Sequence, residues 1–558
     1  MTTNKKGICI GVSEFSKVIS SSGYYVDKTH LIEGILDSLN QVILFTRPRR
    51  FGKTLNMTML RDFCDISKDT RELFSGLYIE DSIIIKEINS FPVLYFTFKD
   101  CKGNKPMMIS KIRRVLREAF LEYKNAIVEN EACDSLKDEF MSIYGELTNL
   151  DSDDLVVASE AIRFLSSAVS KHYDKKVMII MDEYDTPMNS AYYEGCFDEM
   201  KDFFTALYGT ALKDNPCLEK AVLTGIQRIS KESIFSGLNN LEVNGVCDEA
   251  FSDCFGLTSE ETSDMLEYYG LELNKEVKSM YNGYLFGKCE IYNPWSVINY
   301  AQKGRLEPFW VNTAGTDLLK SVLENSSDSF KEDFEHLIQD EEVETIVNQN
   351  ASFNGSPSAQ AIWGLFLNAG YVTARSNDIS KLKTLRIPNE EVKEDFLEIV
   401  ADYTKIESSM LLTMFYRLID KRDYNGFVEM YRKIIRSVMS VYDAHRENAY
   451  HMLMLGMCVA LQSDYEISSN IEAGDGRPDI VLKSKDNKKH PSVVIELKHK
   501  PSLVGSTSAE IASELKVLAN QALSQIKEKD YAHGLSGEVI LMGVAHHKKH
   551  CEAVWETL

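Results

Sequence analysis

The sequence predicts an α/β protein with two chemically loaded regions. A parallel sheet with helices on both faces comes first, a mostly helical stretch follows, and a second α/β domain lies further along the chain. Three observations carry this. Apolar runs at residues 42–45, 91–98, 177–181 and 220–226 have strand character and alternate with helical periodicity, the pattern of a parallel sheet joined by crossover helices. The first run opens into a turn that ends Gly52-Lys53-Thr54. A later run, residues 493–497, carries Glu496, with Lys498 two residues on and Asp479 on the strand before it.

The first region is organised by Val42-Ile43-Leu44-Phe45-Thr46-Arg47-Pro48-Arg49-Arg50-Phe51-Gly52-Lys53-Thr54, followed by a helical pattern of Leu55, Met59, Leu60 and Phe63. Strand, turn and helix in this order form a P-loop context, where backbone N–H groups at a helix start attract phosphate oxygens. Lys53 would reach the β- and γ-phosphates, and the Thr54 hydroxyl would help to hold Mg²⁺. Arg49, Arg50, Phe51 and Gly52 complete the expected nucleotide-binding turn. The usual pattern opens with glycine where this chain has Arg47. Arginine tolerates positive φ poorly, so the first bend must be built differently. The competing reading is a basic surface turn; Gly-Lys-Thr after a buried strand favours a nucleotide.

Val177-Met178-Ile179-Ile180-Met181 ends in Asp182-Glu183-Tyr184-Asp185, a strand running into carboxylates. Asp182 is expected to hold Mg²⁺ through water and Glu183 to orient and polarise the attacking water. A solvated acidic turn is the alternative, weakened by the phosphate loop earlier in the chain. Ligands of parallel sheets sit at the carboxyl ends of the strands. Thr224 falls there, either as a sensor of the γ-phosphate or as a hydroxyl bonded to local backbone. Arg228 is a candidate cation nearby.

Three motifs together resemble the AAA-ATPase-like family: Arg47-Pro48-Arg49-Arg50-Phe51-Gly52-Lys53-Thr54, Met181-Asp182-Glu183-Tyr184-Asp185-Thr186-Pro187, and Ile229-Ser230-Lys231-Glu232-Ser233-Ile234-Phe235-Ser236-Gly237-Leu238-Asn239-Asn240. The resemblance covers nearly the whole chain. It implies ATP as cofactor, an arginine at the start of the phosphate loop, and a C-terminal domain like the PD-(D/E)XK nucleases. AAA-type sites often borrow an arginine from a neighbouring subunit, which implies a homo-oligomer; no residue is singled out for that role.

Composition sets limits. The 558 residues allow two to four domains. No signal peptide and no bilayer-spanning apolar run is read, so a cytoplasmic protein without a membrane partner is expected. The eleven cysteines are scattered without any C-x-x-C, which argues against zinc and against a disulfide framework. A net charge of −22 opposes broad nucleic-acid affinity but leaves room for a local basic channel. Basic clusters occur at 47–50, 483–490, 498–500 and 546–550, and the last reads as solvated surface.

Along the chain, Asp27 or Thr29 is an expected N-cap for a helix carrying Leu31, Ile32, Ile35 and Leu36. The preceding Tyr24-Tyr25-Val26 piece reads as packing, with framing of the adenine as the alternative. Residues 106–170 read as helical. Thr258 and Glu261 form an expected capping box. The aromatic and turn residues that follow (Tyr281-Asn282-Gly283-Tyr284, Tyr292-Asn293-Pro294-Trp295, Trp310) suit a helical lid. Residues 324–346 read as a solvated acidic helical face. From Trp363 to Val392 a helix, two short strands and another helix resemble a winged helix, for DNA or for a protein contact. Residues 405–440 read as helical connection. The expected domains are 1–252, 253–404 and 405–558.

The last domain reads as an apolar helix over 450–461, a three-stranded meander and a later helix. Alternation puts Glu496 and Lys498 on one strand face, with Asp479 beside them. Adjacent carboxylates repel unless a cation lies between them, and a nearby lysine can steady developing negative charge. This is the Asp…Glu-x-Lys logic of metal-dependent phosphodiester cleavage; a salt-bridged sheet surface is the alternative. The PD-(D/E)XK resemblance implies a supporting glutamine on the later helix, Gln525, with Glu472 and Glu447 as further carboxylates. Expected catalytic residues are therefore Glu183, Asp479, Glu496, Lys498 and Gln525. The expected metal ligands are Thr54, Asp182, Glu472, Asp479 and Glu496.

The resulting expectation is an ATPase whose nucleotide cycle licenses Mg²⁺-dependent cleavage of nucleic acid, with DNA placed ahead of RNA. The resemblance suggests defence or mobile-element biology. Two alternatives stay open: a nucleotide switch that binds nucleic acid or protein without cutting, and an ATPase that only remodels a partner.

Overall fold

The computed structural model describes residues 5–558 apart from 153, 230–233, 236–237, 311–327, 339–340, 352–357, 377–380, 404–406, 439–446, 462–463, 471 and 502–506. The chain forms two compact units, residues 1–322 with 344–392, and residues 323–343 with 393–558.

The first unit is built on five parallel strands. In spatial order they are Val93–Thr97, Val177–Asp182, Leu218–Gly225, Val42–Thr46 and Leu241–Asn244. Each aligns Thr97 with Asp182, Phe45 with Thr224, and Phe45 with Asn244 across neighbouring strands. The carboxyl ends therefore share one edge. Val42–Thr46 and Val177–Asp182 are buried along their whole length, which is why they read as unbroken apolar runs. Ile43, Phe45, Ile180 and Val222 pack with Met57, Met59 and Phe63 of the helix Lys53–Cys64. Complete burial of each such side chain contributes about 1.5–3 kcal/mol. The stretch read as helical holds the helices Lys105–Glu129, Asp134–Thr148 and Val156–Tyr173.

Local expectations hold with one shift. The capping box forms: Glu261 N–H donates to Thr258 Oγ1 at 3.2 Å and Thr258 N–H to Glu261 Oε2 at 2.8 Å. The Glu261 carboxylate also receives Lys28 Nζ at 2.6 Å. At the helix His30–Asp37, Thr29 stands at the cap position without a side-chain cap bond. Asp27 Oδ1 instead receives the Thr29 N–H and hydroxyl, and Thr29 Oγ1 accepts Ile79 N–H. Of the two expected caps Thr29 holds the position, but neither side chain caps the helix; their oxygens serve the loop instead.

Residues 253–310 add a three-stranded antiparallel sheet, Leu257–Thr258, Cys289–Tyr292 and Tyr284–Phe286, with helices Ser259–Tyr269, Lys275–Tyr281 and Pro294–Lys303. The winged-helix-like order appears as the helix Ala359–Ala369, the antiparallel pair Thr373–Ser376 and Leu382–Arg386, and the helix Glu390–Tyr403. The acidic stretch divides: a helix Asp328–Ile338 with Phe330, Phe334 and Leu337 buried, then a strand Val343–Ile346. With these side chains buried, the stretch is not the wholly solvated face expected.

The second unit contains helices Ser408–Ile419, Tyr424–Val438 and Glu447–Cys458 and a five-stranded sheet. The expected meander is Tyr465–Ser468, Ile480–Ser484 and Ser492–His499, all antiparallel. The helix Ser508–Glu528 then crosses over, and Val539–His547 pairs parallel with Ser492–His499, followed by His550–Thr557. Gly543 lies beneath that helix; a Cβ there would stand 2.2 Å from Ala519 O, so only glycine permits this approach. The basic run 546–550 is not all surface. His546 and His547 are buried, and His546 stacks on Tyr450 with ring centroids 4.2 Å apart. Burial pulls the His546 imidazole down to about 3, so it is neutral. Only Lys548 and Lys549, at the turn, are exposed.

Candidate active sites

The phosphate loop turns without glycine at its first position. Positive φ falls on Arg50 (69°) and Gly52 (83°) instead. Arg47 is completely buried and faces away from the turn. Its guanidinium donates to Thr46 O, Asn244 O and Phe251 O at 3.0, 2.8 and 3.1 Å and lies between the rings of Phe255 and Phe286. Burial lowers its pKa to about 10, which leaves it charged at neutral pH. Arg47 is a brace that ties the loop to the segment after the fifth strand. Phe51 sits against Tyr284 and Phe286, and its carbonyl accepts Gly256 N–H. Arg50 lies over the Trp295 ring at 4.3 Å, and Arg49 is exposed beside it.

Lys53 and Thr54 open the helix Lys53–Cys64. Lys53 Nζ donates to the carbonyls of Arg47 and Pro48 at 3.0 and 2.9 Å and lies 3.9 Å from Glu183 Oε1. Thr54 Oγ1 donates to Asp182 Oδ2 at 2.8 Å, and Thr224 Oγ1 to Asp182 Oδ1 at 2.6 Å. Burial, then the neighbouring Glu183 charge, push the Asp182 carboxyl up. Glu183 itself adopts φ 56°, a strained left-handed conformation for a non-glycine residue. Arg228 lies just past the strand Leu218–Gly225, in the short strand Arg228–Ile229. The structure thus brings together Lys53, Thr54, Asp182, Glu183 and Thr224 at the sheet's carboxyl edge.

An apolar cleft adjoins this helix start. It is lined by Ile8, Val12, Tyr24, Val26, Leu55 and Met265, with Gly52 at its side. The Tyr24-Tyr25-Val26 piece therefore lines a cleft beside the loop as well as packing.

In the second unit, the strand Ser492–His499 carries Glu496 and Lys498, and Asp479 directly precedes the strand Ile480–Ser484. Asp479 N–H faces Glu496 Oε2 at 3.3 Å, and Asp479 Oδ2 accepts Leu497 N–H at 2.6 Å. Lys498 Nζ lies 3.5 Å from Glu496 Oε1, and Gln525 Nε2 donates to the same oxygen. Burial raises both carboxyls; Glu496, also facing the Asp479 charge, reaches about 7. Glu472 does not join this arrangement: its side chain is exposed and lies 3.7 Å from Arg477. The Glu447 side chain lies outside the described residues.

Two residues here escape sequence reasoning. His451 is buried on the helix Glu447–Cys458, with Nε2 3.0 Å from both Asp479 O and Ser469 Oγ. Tyr531 OH receives Gln525 Nε2 at 3.3 Å. A lone histidine on an apolar helix offers no signal; the spacing of Tyr531 after Gln525 is the only hint for the second.

Both carboxylate groups suit a hard divalent cation. Each offers oxygen ligands, and each holds a carboxyl raised first by burial and then by an adjacent acidic charge, which a cation would relieve. Thr54 and Asp182 would hold it in the first site, Asp479 and Glu496 in the second.

A parallel sheet with a Gly-Lys-Thr loop and a hydroxyl-bound strand-end aspartate defines a P-loop nucleotide-binding domain. A mixed sheet presenting Asp, Glu-x-Lys and a helix glutamine defines a nuclease-type domain. Comparison with protein families agrees with both: residues 9–235 match the family described as predicted AAA-ATPase, and residues 445–556 match the PD-(D/E)XK nuclease superfamily. The chain thus carries an AAA-ATPase-like domain followed by a C-terminal PD-(D/E)XK nuclease superfamily domain. It is 25% identical over 465 residues to a protein of Azotobacter chroococcum mcd 1 named "Uncharacterized protein in vnfD 5'region", covering 80% of each chain. Among the described residues no helix is long and apolar enough to cross a membrane.

Proposed function

We propose that the chain binds and hydrolyses ATP and cleaves nucleic acid phosphodiester bonds with Mg²⁺, the nucleotide state governing the cleavage. One observation carries this reading: one chain holds both a Lys53–Thr54–Asp182–Glu183–Thr224 cluster and an Asp479–Glu496–Lys498–Gln525 cluster, each joined by hydrogen bonds or an ion pair.

In the first site, Lys53 exchanges the Arg47 and Pro48 carbonyls for phosphate oxygens. The cleft between Val26 and Met265 takes the base, since it is apolar and adjoins Gly52. Glu183 orients the water, and Thr224 keeps Asp182 in place. In the second site, Asp479 and Glu496 hold the cation, Lys498 steadies the negative charge that develops on the cleaved phosphate, and Gln525 fixes the Glu496 rotamer. Bound Mg²⁺ supplies Lewis-acid polarisation of phosphate oxygens at both sites. DNA is proposed ahead of RNA, in a cytoplasmic setting and with defence or mobile-element biology.

The test is Mg²⁺-ATP turnover by the wild type and Lys53→Ala, alongside degradation of labelled single- and double-stranded DNA and RNA by the wild type and Asp479→Ala. Turnover that needs Lys53 and cleavage that needs Asp479 support the reading. ATP turnover without cleavage of any substrate supports a non-cutting switch instead.

A further inference from the structure

Asp182 and Glu183 have roles in the proposed reaction; Tyr184 and Asp185, the next two residues, do not. Both are completely buried, and both grip the same short segment, the turn that leaves Thr224. Asp185 Oδ2 accepts the N–H groups of Ile226 and Gln227 at 3.1 and 2.8 Å. Tyr184 OH donates to Gln227 O at 2.8 Å and accepts Ile229 N–H at 3.2 Å. The Tyr184 N–H donates to Thr224 O at 3.0 Å. Every backbone polar group so held lies between Thr224 and Ile229, and Arg228 stands inside that span.

Gly225 shows how close the fit is. A Cβ there would lie 2.6 Å from Asp185 Oδ1 and 2.7 Å from the Tyr184 ring. Asp185 Oδ1 is buried and has no hydrogen-bond partner among the described residues. A buried unpaired carboxylate oxygen costs stability, so its retention calls for a use beyond packing. Arg228 forms no side-chain hydrogen bond or ion pair among the described residues, so its guanidinium is left available. On the far side, Gln227 Oε1 accepts Asn368 Nδ2 at 3.2 Å, and Arg228–Ile229 pairs with Asn350–Ala351.

We propose that Tyr184 and Asp185 are positioning residues for ATP hydrolysis: they fix the turn from Gly225 to Ile229 so that Arg228 is presented to the phosphates at the edge where Thr224 meets Asp182. The inference rests on the nucleotide reading above. Binding of ATP needs Lys53 and the base cleft, whereas the turn acts on turnover. The four-residue motif then divides its labour. Asp182 takes the two hydroxyls, Glu183 faces Lys53, and Tyr184 with Asp185 set the turn.

The experiment is a double-mutant cycle on the full chain. ATP turnover and affinity for a fluorescent ATP analogue are measured for wild type, Tyr184→Phe, Asp185→Ala, Arg228→Ala, and the two doubles that combine Arg228→Ala with each. The expected result is a fall in kcat of about tenfold or more in each single variant, with analogue affinity within about threefold of wild type. Each double variant is expected to be no slower than Arg228→Ala alone, because the turn acts through Arg228. Additive losses in the doubles, or unchanged kcat with only a lower Tm, would overturn the proposal. Tyr184→Phe removes one oxygen and carries the test by itself if Asp185→Ala does not fold. If the wild type neither binds nor hydrolyses ATP, the nucleotide reading fails and this proposal with it. If turnover depends on Lys53 but the cycle is additive, only the positioning role fails.

Discussion

Thr224 Oγ1 donates to Asp182 Oδ1 across two adjacent parallel strands at 2.6 Å, while Thr54 from the phosphate loop takes the other oxygen. Hydroxyl donors thus hold the carboxylate at both oxygens. Thr224→Val keeps the shape and removes the donor. We expect kcat for ATP to fall by about 10- to 100-fold with little change in nucleotide affinity, a loss of about 1.4–2.7 kcal/mol of transition-state stabilisation. Steady-state turnover and a binding titration check it.

Arg47 stands where phosphate loops usually carry glycine, yet restoring glycine is expected to do harm. Arg47→Gly removes three carbonyl contacts and the filling between Phe255 and Phe286. It should destabilise the first unit by about 2–4 kcal/mol, and Arg47→Lys should also lose stability because an ammonium cannot span the same carbonyls. Urea unfolding followed by a probe in that unit reads both.

Metal removal should expose the strain between the second site's carboxylates. Burial and Asp479 raise Glu496 from its ordinary 4.5 to about 7, and Asp479 is raised as well. A carboxyl with a raised folded pKa binds its proton more tightly when folded. Its stability contribution is therefore full at low pH and declines as pH rises from about 4.5 through 7. In EDTA, denaturant midpoints should drop across that window. Mg²⁺ should reduce the drop, and Glu496→Gln should flatten it.

The second site also separates two sequence expectations. Gln525 donates to Glu496, whereas Glu472 is exposed beside Arg477. Cleavage should fall about tenfold or more in Gln525→Ala and stay within about threefold of wild type in Glu472→Ala. Rates on labelled DNA with saturating Mg²⁺ distinguish them.

Much of both sites was legible because the signals are short. Gly52-Lys53-Thr54, Asp182-Glu183 and Glu496-x-Lys498 lie within single turns or strand ends, and the Thr258–Glu261 capping box spans four residues. Arg47 was legible only as a departure: its partners, Asn244, Phe251, Phe255 and Phe286, lie some two hundred residues away. His451 drew no reading of its own, because nothing local marks a helix histidine that meets a strand end. His546 read as surface because Lys548, Lys549 and His550 beside it form a basic turn, which hid a fully buried strand, Val539–His547. The contacts of Tyr184 and Asp185 reach a turn 41 to 43 residues downstream, which no spacing rule reaches.

The most direct measurement is Mg²⁺-dependent cleavage of labelled DNA by wild type, Asp479→Ala and Lys53→Ala, each with and without ATP. The account predicts cleavage that vanishes in Asp479→Ala and responds to ATP only when Lys53 is present. Cleavage retained in Asp479→Ala, or an ATP response that survives Lys53→Ala, would contradict it.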